Sequence, residues 1–185
     1  MNIELNNVSK SFDGKHVFER LDAVIHENCC TVITGRSGAG KTTLLRMISG
    51  LEKQDSGMIT GNDARFSFVF QEDRLCDMLS VLANLHLVCS DDEMIQSVLE
   101  ALGIADVKHT KVGKLSGGQK RRTAIARALI AKYDVLCMDE PMTGLDKDTK
   151  QRVLAYIKAQ IKGKTAIIAT HDDAVISLSD YIIEL

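Results

Sequence analysis

Residues 35–43 read GRSGAGKTT, and this stretch limits the possible folds of the chain more tightly than any other. Glycines at 35, 38 and 40 let successive backbone N–H groups turn inward with no Cβ in the way, which forms a concave nest for an anion. The closing residues suit phosphate, because Lys41 supplies a point charge and Thr42 a hydroxyl for a magnesium ion. Such a loop works between a strand and a helix, where the helix N-terminus adds its partial positive charge to the nest. Both flanks comply. Thr31-Val32-Ile33-Thr34 is β-branched throughout, and the stretch from Thr42 to Ser49 carries Leu44, Leu45 and Ile48 at helical spacing before Gly50 stops it. Gly35, Ser37, Gly38, Ala39, Gly40, Lys41, Thr42 and Thr43 are therefore the expected contacts to a nucleotide's phosphates.

The 185 residues suffice for one domain with a proper core and are short for two. A formal net charge of −2 lacks the basic excess of nucleic-acid binders, so no nucleic-acid partner is expected. No apolar run reaches the roughly 18 residues that cross a bilayer, and the start, MNIELNNVSK, lacks the basic-then-apolar order of a signal peptide. A cytoplasmic protein not itself embedded in a membrane is expected. Five cysteines without CxxC spacing suggest neither a disulfide framework nor a zinc site, only reduced thiols used as small apolar side chains.

Ahead of the loop, Ile3, Leu5 and Val8, then Val17, Leu21, Val24 and Ile25, predict short antiparallel strands about a turn at Asp13-Gly14. Phe12 beside that turn is either a satellite-core aromatic or a ring that stacks on a ligand. Ser56-Gly57 reads as a further turn. Phe66-Ser67-Phe68-Val69-Phe70 has the length of a strand and ends at Gln71, which is either a plain loop residue or a group that reaches a metal or water beside the phosphates. Residues 75–112 change character: Leu79, Leu82, Leu85 and Leu87, then Met94, Ile95, Val98, Leu99 and Leu102, mark an inserted pair of amphipathic helices, the second starting at Ser90-Asp91-Asp92.

Leu115-Ser116-Gly117-Gly118-Gln119 opens another helix, with Ser116 as its N-cap. It reads as a second anion-binding helix start, or as an ordinary capped helix whose Lys120-Arg121-Arg122 turn is solvated. Val135-Leu136-Cys137-Met138 runs into Asp139 and Glu140, which are either a surface acidic pair or two groups with separate tasks, Asp139 placed to hold magnesium through water and Glu140 to polarise the attacking water. A turn at Thr143-Gly144-Leu145-Asp146 precedes a helix from Thr149 to Ile161. Thr165-Ala166-Ile167-Ile168-Ala169-Thr170 is a buried strand ending at His171, which is either structural or a phosphate or water contact, and Tyr181-Ile182-Ile183 is a last strand.

In this order the motifs resemble the ATP-binding cassette family, the motor subunits of ABC transporters, over nearly the whole chain. GRSGAGKTT looks like its Walker A loop, LSGGQ matches its signature, and VLCMDE looks like Walker B with the catalytic glutamate, while Gln71, Asp146 and His171 match its Q-loop, D-loop and switch histidine. The resemblance implies an α/β fold of the P-loop NTPase kind with a RecA-like core sheet, an N-terminal antiparallel β subdomain and an inserted helical subdomain. A single domain over 1–185 would comprise a nucleotide-binding core (1–71 and 117–185) and a helical part (72–116) leading into the signature. The implied ligands are ATP and Mg2+, with Thr42, Gln71 and Asp139 at the metal, Phe12 on the adenine, and Glu140, His171 and Gln71 in catalysis.

The resemblance also implies a second, identical cassette packed head to tail, with Ser116 and Gly118 of one contacting the γ phosphate held by Lys41 of the other, and with Gly117, Gln119 and Asp146 also among the nucleotide-binding residues. A transmembrane permease would dock on the helical insert and hold the chain at the cytoplasmic face of the membrane, with a solute-binding protein if the system imports. The alternative is a soluble cassette ATPase outside transport. The run FVFQEDRL, with SVLAN after it, is similar to importers of the nitrate, sulfonate, taurine and thiamine-precursor group, although Asp77-Met78 stands where that group has Pro-Trp. A minimal cassette without a regulatory domain is expected.

Overall fold

The computed structural model describes residues 2–185. The chain begins with a hairpin in which β1 (Ile3–Phe12) and β2 (Lys15–Ile25) pair antiparallel through the two-residue turn Asp13-Gly14. Both turn residues have positive φ, 49° and 77°, the primed geometry whose twist matches the flanking strands. The two strands are longer than the alternation of residues 3–8 and 17–25 suggests. On the other edge of β1 lies β4 (Ser56–Thr60), giving a sheet of order β2-β1-β4. Sequence reading finds only a turn there, because Ser56-Gly57 looks like punctuation. Gly57 instead lets two strands approach: a Cβ on it would stand 2.3 Å from the Asn7 carbonyl oxygen.

A second, all-parallel sheet carries the strand ends of interest. It contains β3 (Cys30–Thr34), β5 (Phe66–Val69), β6 (Val135–Asp139), β7 (Thr165–Ala169) and β8 (Tyr181–Glu184) in the order β5-β6-β7-β3-β8. Ala169 stands opposite both Asp139 and Ile33, so the loops leaving β3, β6 and β7 start at one level of one sheet edge. Ligands of open α/β sheets bind beyond such an edge.

The helices are α1 (Lys41–Ile48), α2 (Val81–His86), α3 (Asp92–Ala101), α4 (Gly117–Ile130), α5 (Lys147–Ile161) and α6 (Asp173–Ile176). Their starts are chemically marked. Ser80, Asp91 and Asp146 each accept a backbone N–H three residues on, and Ser116 and Gln119 form a reciprocal capping box.

Period-2 alternation divides the central strands between two cores, one on each face. Val135, Cys137, Ile167 and Ala169 pack with Leu44, Leu45 and Ile48 of α1 and with Ile3, Leu5 and Val8 of the antiparallel sheet. Leu136, Met138, Ala166 and Ile168 pack on the other face with Ile125 and Leu129 of α4 and Val153 and Ile157 of α5. Coverage on both faces is what a parallel sheet requires. The inserted helices share this second core: Val81, Leu85, Ile95, Val98 and Leu99 belong to it, and α4 lies against α2, α3 and β5 together. Helix α4 is therefore the joint between insert and sheet. Each of these fully buried aliphatic side chains contributes about 1.5–3 kcal/mol relative to exposure. Among the described residues no helix is long and apolar enough to cross a membrane.

Candidate functional site

The loop from Gly35 to Gly40 joins β3 to α1. Its crest, Arg36, Ser37 and Gly38, is exposed, and it closes with Ala39 N–H donating to the Arg36 carbonyl at 3.1 Å. Gly40 enters α1 at φ 98°, and the β1–β2 hairpin packs over it so closely that a Cβ would stand 2.4 Å from Val17 and 2.6 Å from Phe18. Only glycine meets both demands. Thr42 and Thr43 lie in the first turn of α1. Lys41 is buried and turned back on its own loop, donating to the carbonyls of Gly35 at 2.9 Å and Arg36 at 3.2 Å.

Across β7 from this loop, β6 ends in Asp139 and Glu140. Asp139 is 3% exposed, and its Oδ1 has no hydrogen-bond partner. Burial pushes its carboxyl above the usual carboxylate range; a hydrogen bond with Thr42 opposes the shift, and the neighbouring Glu140 carboxylate adds to it. A buried carboxylate oxygen without a partner, beside a threonine hydroxyl, suits a hard divalent cation that takes few protein ligands. Among the described residues no cluster of three or more His, Cys, Asp or Glu is placed to hold a metal, so such an ion would draw most of its shell from a ligand and water.

Glu140 adopts φ 46°, in the left-handed region that a side chain rarely enters. Its carboxylate lies 2.7 Å from His171 Nδ1, accepts the Thr170 hydroxyl at 3.1 Å, and stands 4.0 Å from Lys41 Nζ. Lys41, Thr42, Asp139, Glu140 and His171, distant in sequence, thus meet because β3, β7 and β6 are adjacent and end level.

Arg121 also belongs here, although the sequence offers for this basic turn only an anion-binding helix start or a solvated cap. It is 3% exposed and faces the sheet edge from α4. Its guanidinium donates to the carbonyls of Asp139, Glu140, Pro141 and Phe70 and pairs with Asp73 at 3.1 Å. The 3.5 Å contact with the Gln71 carbonyl makes this the structure's link to Gln71, whose own side chain is exposed. The residues on either side differ: Lys120 faces Asp77, and Arg122 donates to the carbonyls of Leu102 and Gly103. A long cation after a helix cap is no signal of burial, and only the packing of α4 on β5 and β6 reveals it.

Other candidate residues stand apart. The hydrogen bonds of Ser116, Gly118 and Gln119 stay within α4, and a Cβ on Gly118 would touch only Gly144 and Leu145. Among the described residues, nothing beyond its chain neighbours and its own helix backbone lies within 4 Å of a Cβ on Gly117. Asp146 caps α5 through Thr149, and those hydrogen bonds hold its carboxyl below the usual range. Phe12 is 45% exposed at the hairpin end, with Lys10 Nζ 4.8 Å over its ring.

A family model described as ABC transporter matches residues 18–143. The aliphatic sulfonates import ATP-binding protein SsuB of Rhodopseudomonas palustris is 37% identical over 196 residues, which cover 98% of this chain and 69% of that protein. The spermidine/putrescine import ATP-binding protein PotA of Mesoplasma florum is 34% identical over 202 residues, covering 98% of this chain but 58% of PotA, so the chain spans little more than half of that relative's length. Among solved structures, the dimeric structure of MJ0796, a bacterial ABC transporter cassette, matches with a TM-score of 0.88 and 28% identity, covering 99% of this chain and 94% of that one. Sequence and fold agree along almost the whole chain, which belongs to the ABC transporter family.

Proposed function

We propose that this chain is the ATP-binding and ATP-hydrolysing subunit of an ABC importer, working at the cytoplasmic face of the membrane through a transmembrane permease. The observation that carries the reading is the meeting of Lys41, Asp139, Glu140 and His171 at one sheet edge, with the lysine and the glutamate 4.0 Å apart. ATP phosphates enter the nest of residues 35–43 and draw Lys41 from the carbonyls that now hold it. Thr42, Asp139 and Gln71 would hold Mg2+, which when bound neutralises phosphate charge. Glu140 accepts a hydrogen bond from the attacking water, His171 steadies the Glu140 carboxylate, and Phe12 stacks on the adenine. The products are ADP and phosphate, and catalysis is positioning and charge neutralisation.

The site is completed by a second, identical copy. Ser116, Gly117, Gly118 and Gln119, with Asp146, serve the nucleotide held by the partner cassette. The exposed α4 start supports this, because among the described residues beyond its own helix turn nothing crowds a Cβ on Gly117. The dimeric form of the similar cassette supports it too. Import follows the names of the relatives, and a solute-binding protein belongs with import.

The Glu140→Gln variant tests both parts. It is expected to bind ATP, to form a dimer in saturating ATP by light scattering, and to turn over at least about a hundredfold more slowly than the parent. Near-normal turnover removes Glu140 from its role, and a variant that binds ATP yet stays monomeric sinks the shared site.

A further inference from the structure

Three consecutive carbonyls at the end of β6 converge on one side chain. Arg121 Nη2 donates to Asp139 at 2.7 Å and to Glu140 at 2.6 Å, and its Nε donates to Pro141 at 3.1 Å. Successive carbonyls of an extended strand alternate in direction, so they can share one guanidinium only if the backbone turns sharply among them. The turn is the φ of 46° at Glu140. The other end of the fork, Nη1, reaches the end of the neighbouring strand, donating to Phe70 at 2.5 Å, to Gln71 at 3.5 Å and to the Asp73 carboxylate at 3.1 Å. One planar five-donor group therefore spans two strand ends, which a single ammonium does not.

We propose that Arg121 is a positioning residue for ATP hydrolysis. By gripping residues 139–141 it holds Glu140 in the left-handed conformation that keeps its carboxylate by His171 and Lys41. Its contacts to the Phe70 and Gln71 carbonyls anchor the guanidinium on the neighbouring strand end, so that the turn at Glu140 is held against β5. It does so from α4, whose first turn carries Ser116 and Gly117, so a shift of this helix moves the backbone of Glu140. The inference rests on the reading of Glu140 as the group that polarises water.

Arg121→Met keeps the apolar stem and removes every donor, whereas Arg121→Lys keeps the charge on one nitrogen. Each is made alone and together with Glu140→Gln, and steady-state ATPase activity is measured beside ATP affinity from the fluorescence of a labelled ATP analogue. Arg121→Met is expected to lower kcat about a hundredfold, the cost of displacing a reacting group by about an ångström, and Arg121→Lys about tenfold by the same mechanism. KM and ATP affinity should stay within about threefold of the parent, because the phosphate nest is untouched. Neither change should slow Glu140→Gln further, since the group being positioned is already lost.

Losses that multiply in the double variants overturn the proposal, as do affinity losses that track kcat or an unchanged kcat in both single variants. If Arg121→Met fails to fold by circular dichroism, the Arg121→Lys pair carries the same comparison. A slow Glu140→Gln beside normal Arg121 variants overturns this proposal alone. Near-normal turnover of Glu140→Gln overturns the role of Glu140 and this proposal with it.

Discussion

Lys41 Nζ lies 4.0 Å from Glu140 Oε1, with both side chains largely buried, and the lysine satisfies its donors on the carbonyls of Gly35 and Arg36. The cation that would meet phosphate is thus paired inside its own loop. Phosphate must offer it more than two neutral carbonyls do. Charge-assisted hydrogen bonds contribute about 1.5–3 kcal/mol each, so Lys41→Met is expected to weaken ATP binding about 10- to 100-fold by titration calorimetry. Unchanged affinity would mean that the lysine never leaves its loop.

Asp139 sets an opposing demand, because its buried carboxyl has a raised pKa and one oxygen without a partner. A carboxyl raised in the folded state stabilises that state below its unfolded pKa and loses this contribution as pH climbs through the folded value. At neutral pH the nucleotide-free chain therefore carries a cost there. Asp139→Asn should melt at a higher temperature than the parent at pH 7 without nucleotide, with the gap narrowing as pH falls through the carboxylate range. Its Mg2+-dependent turnover should fall about 10- to 100-fold, as for groups that act on a metal through water. A lower melting temperature at pH 7 would contradict the assignment of strain to this carboxylate.

Gly117 offers a test that distinguishes folding from assembly. It opens α4 where a Cβ meets no described residue outside its own helix turn, and alanine is favoured over glycine in helices by up to about 1 kcal/mol. Gly117→Ala should keep or raise the melting temperature yet cut ATPase activity roughly a hundredfold, the scale of losing one preorganised backbone donor at a reacting phosphate. Full activity in the variant would show that no partner approaches this turn.

The cysteines provide a check on the cores. Burial pushes the Cys30 thiol up to about 12 from 9.0, and Cys137 is raised further, while Cys76 is exposed. At pH 8 the buried Cys30 site therefore holds far less thiolate than an unshifted thiol. Mass mapping after brief iodoacetamide treatment should find Cys76 labelled, and Cys30 and Cys137 labelled only in denaturant. Early labelling of Cys137 would mean that the central strands open.

What the sequence determined by itself is local chemistry. The β-branched run into GRSGAGKTT, the Ser116 cap with Gln119 three residues on, and the apolar run that stops at Asp139 depend on neighbours a few residues away, where sterics and hydrogen bonding leave few options. Elements that depend on distant partners were harder to read. The strand β4 reads as a turn because its pairing with β1 lies some 50 residues back, and the sequence gives no sign that Arg121 is buried because nothing nearby says which face of α4 meets β5 and β6. The tertiary structure alone decided that β7 lies between β3 and β6, that Asp139 and Ile33 end level beside Ala169, and that one arginine ties two strand ends together. Those outcomes depend on which apolar faces bury each other across the whole chain, and a short window of sequence does not contain that information.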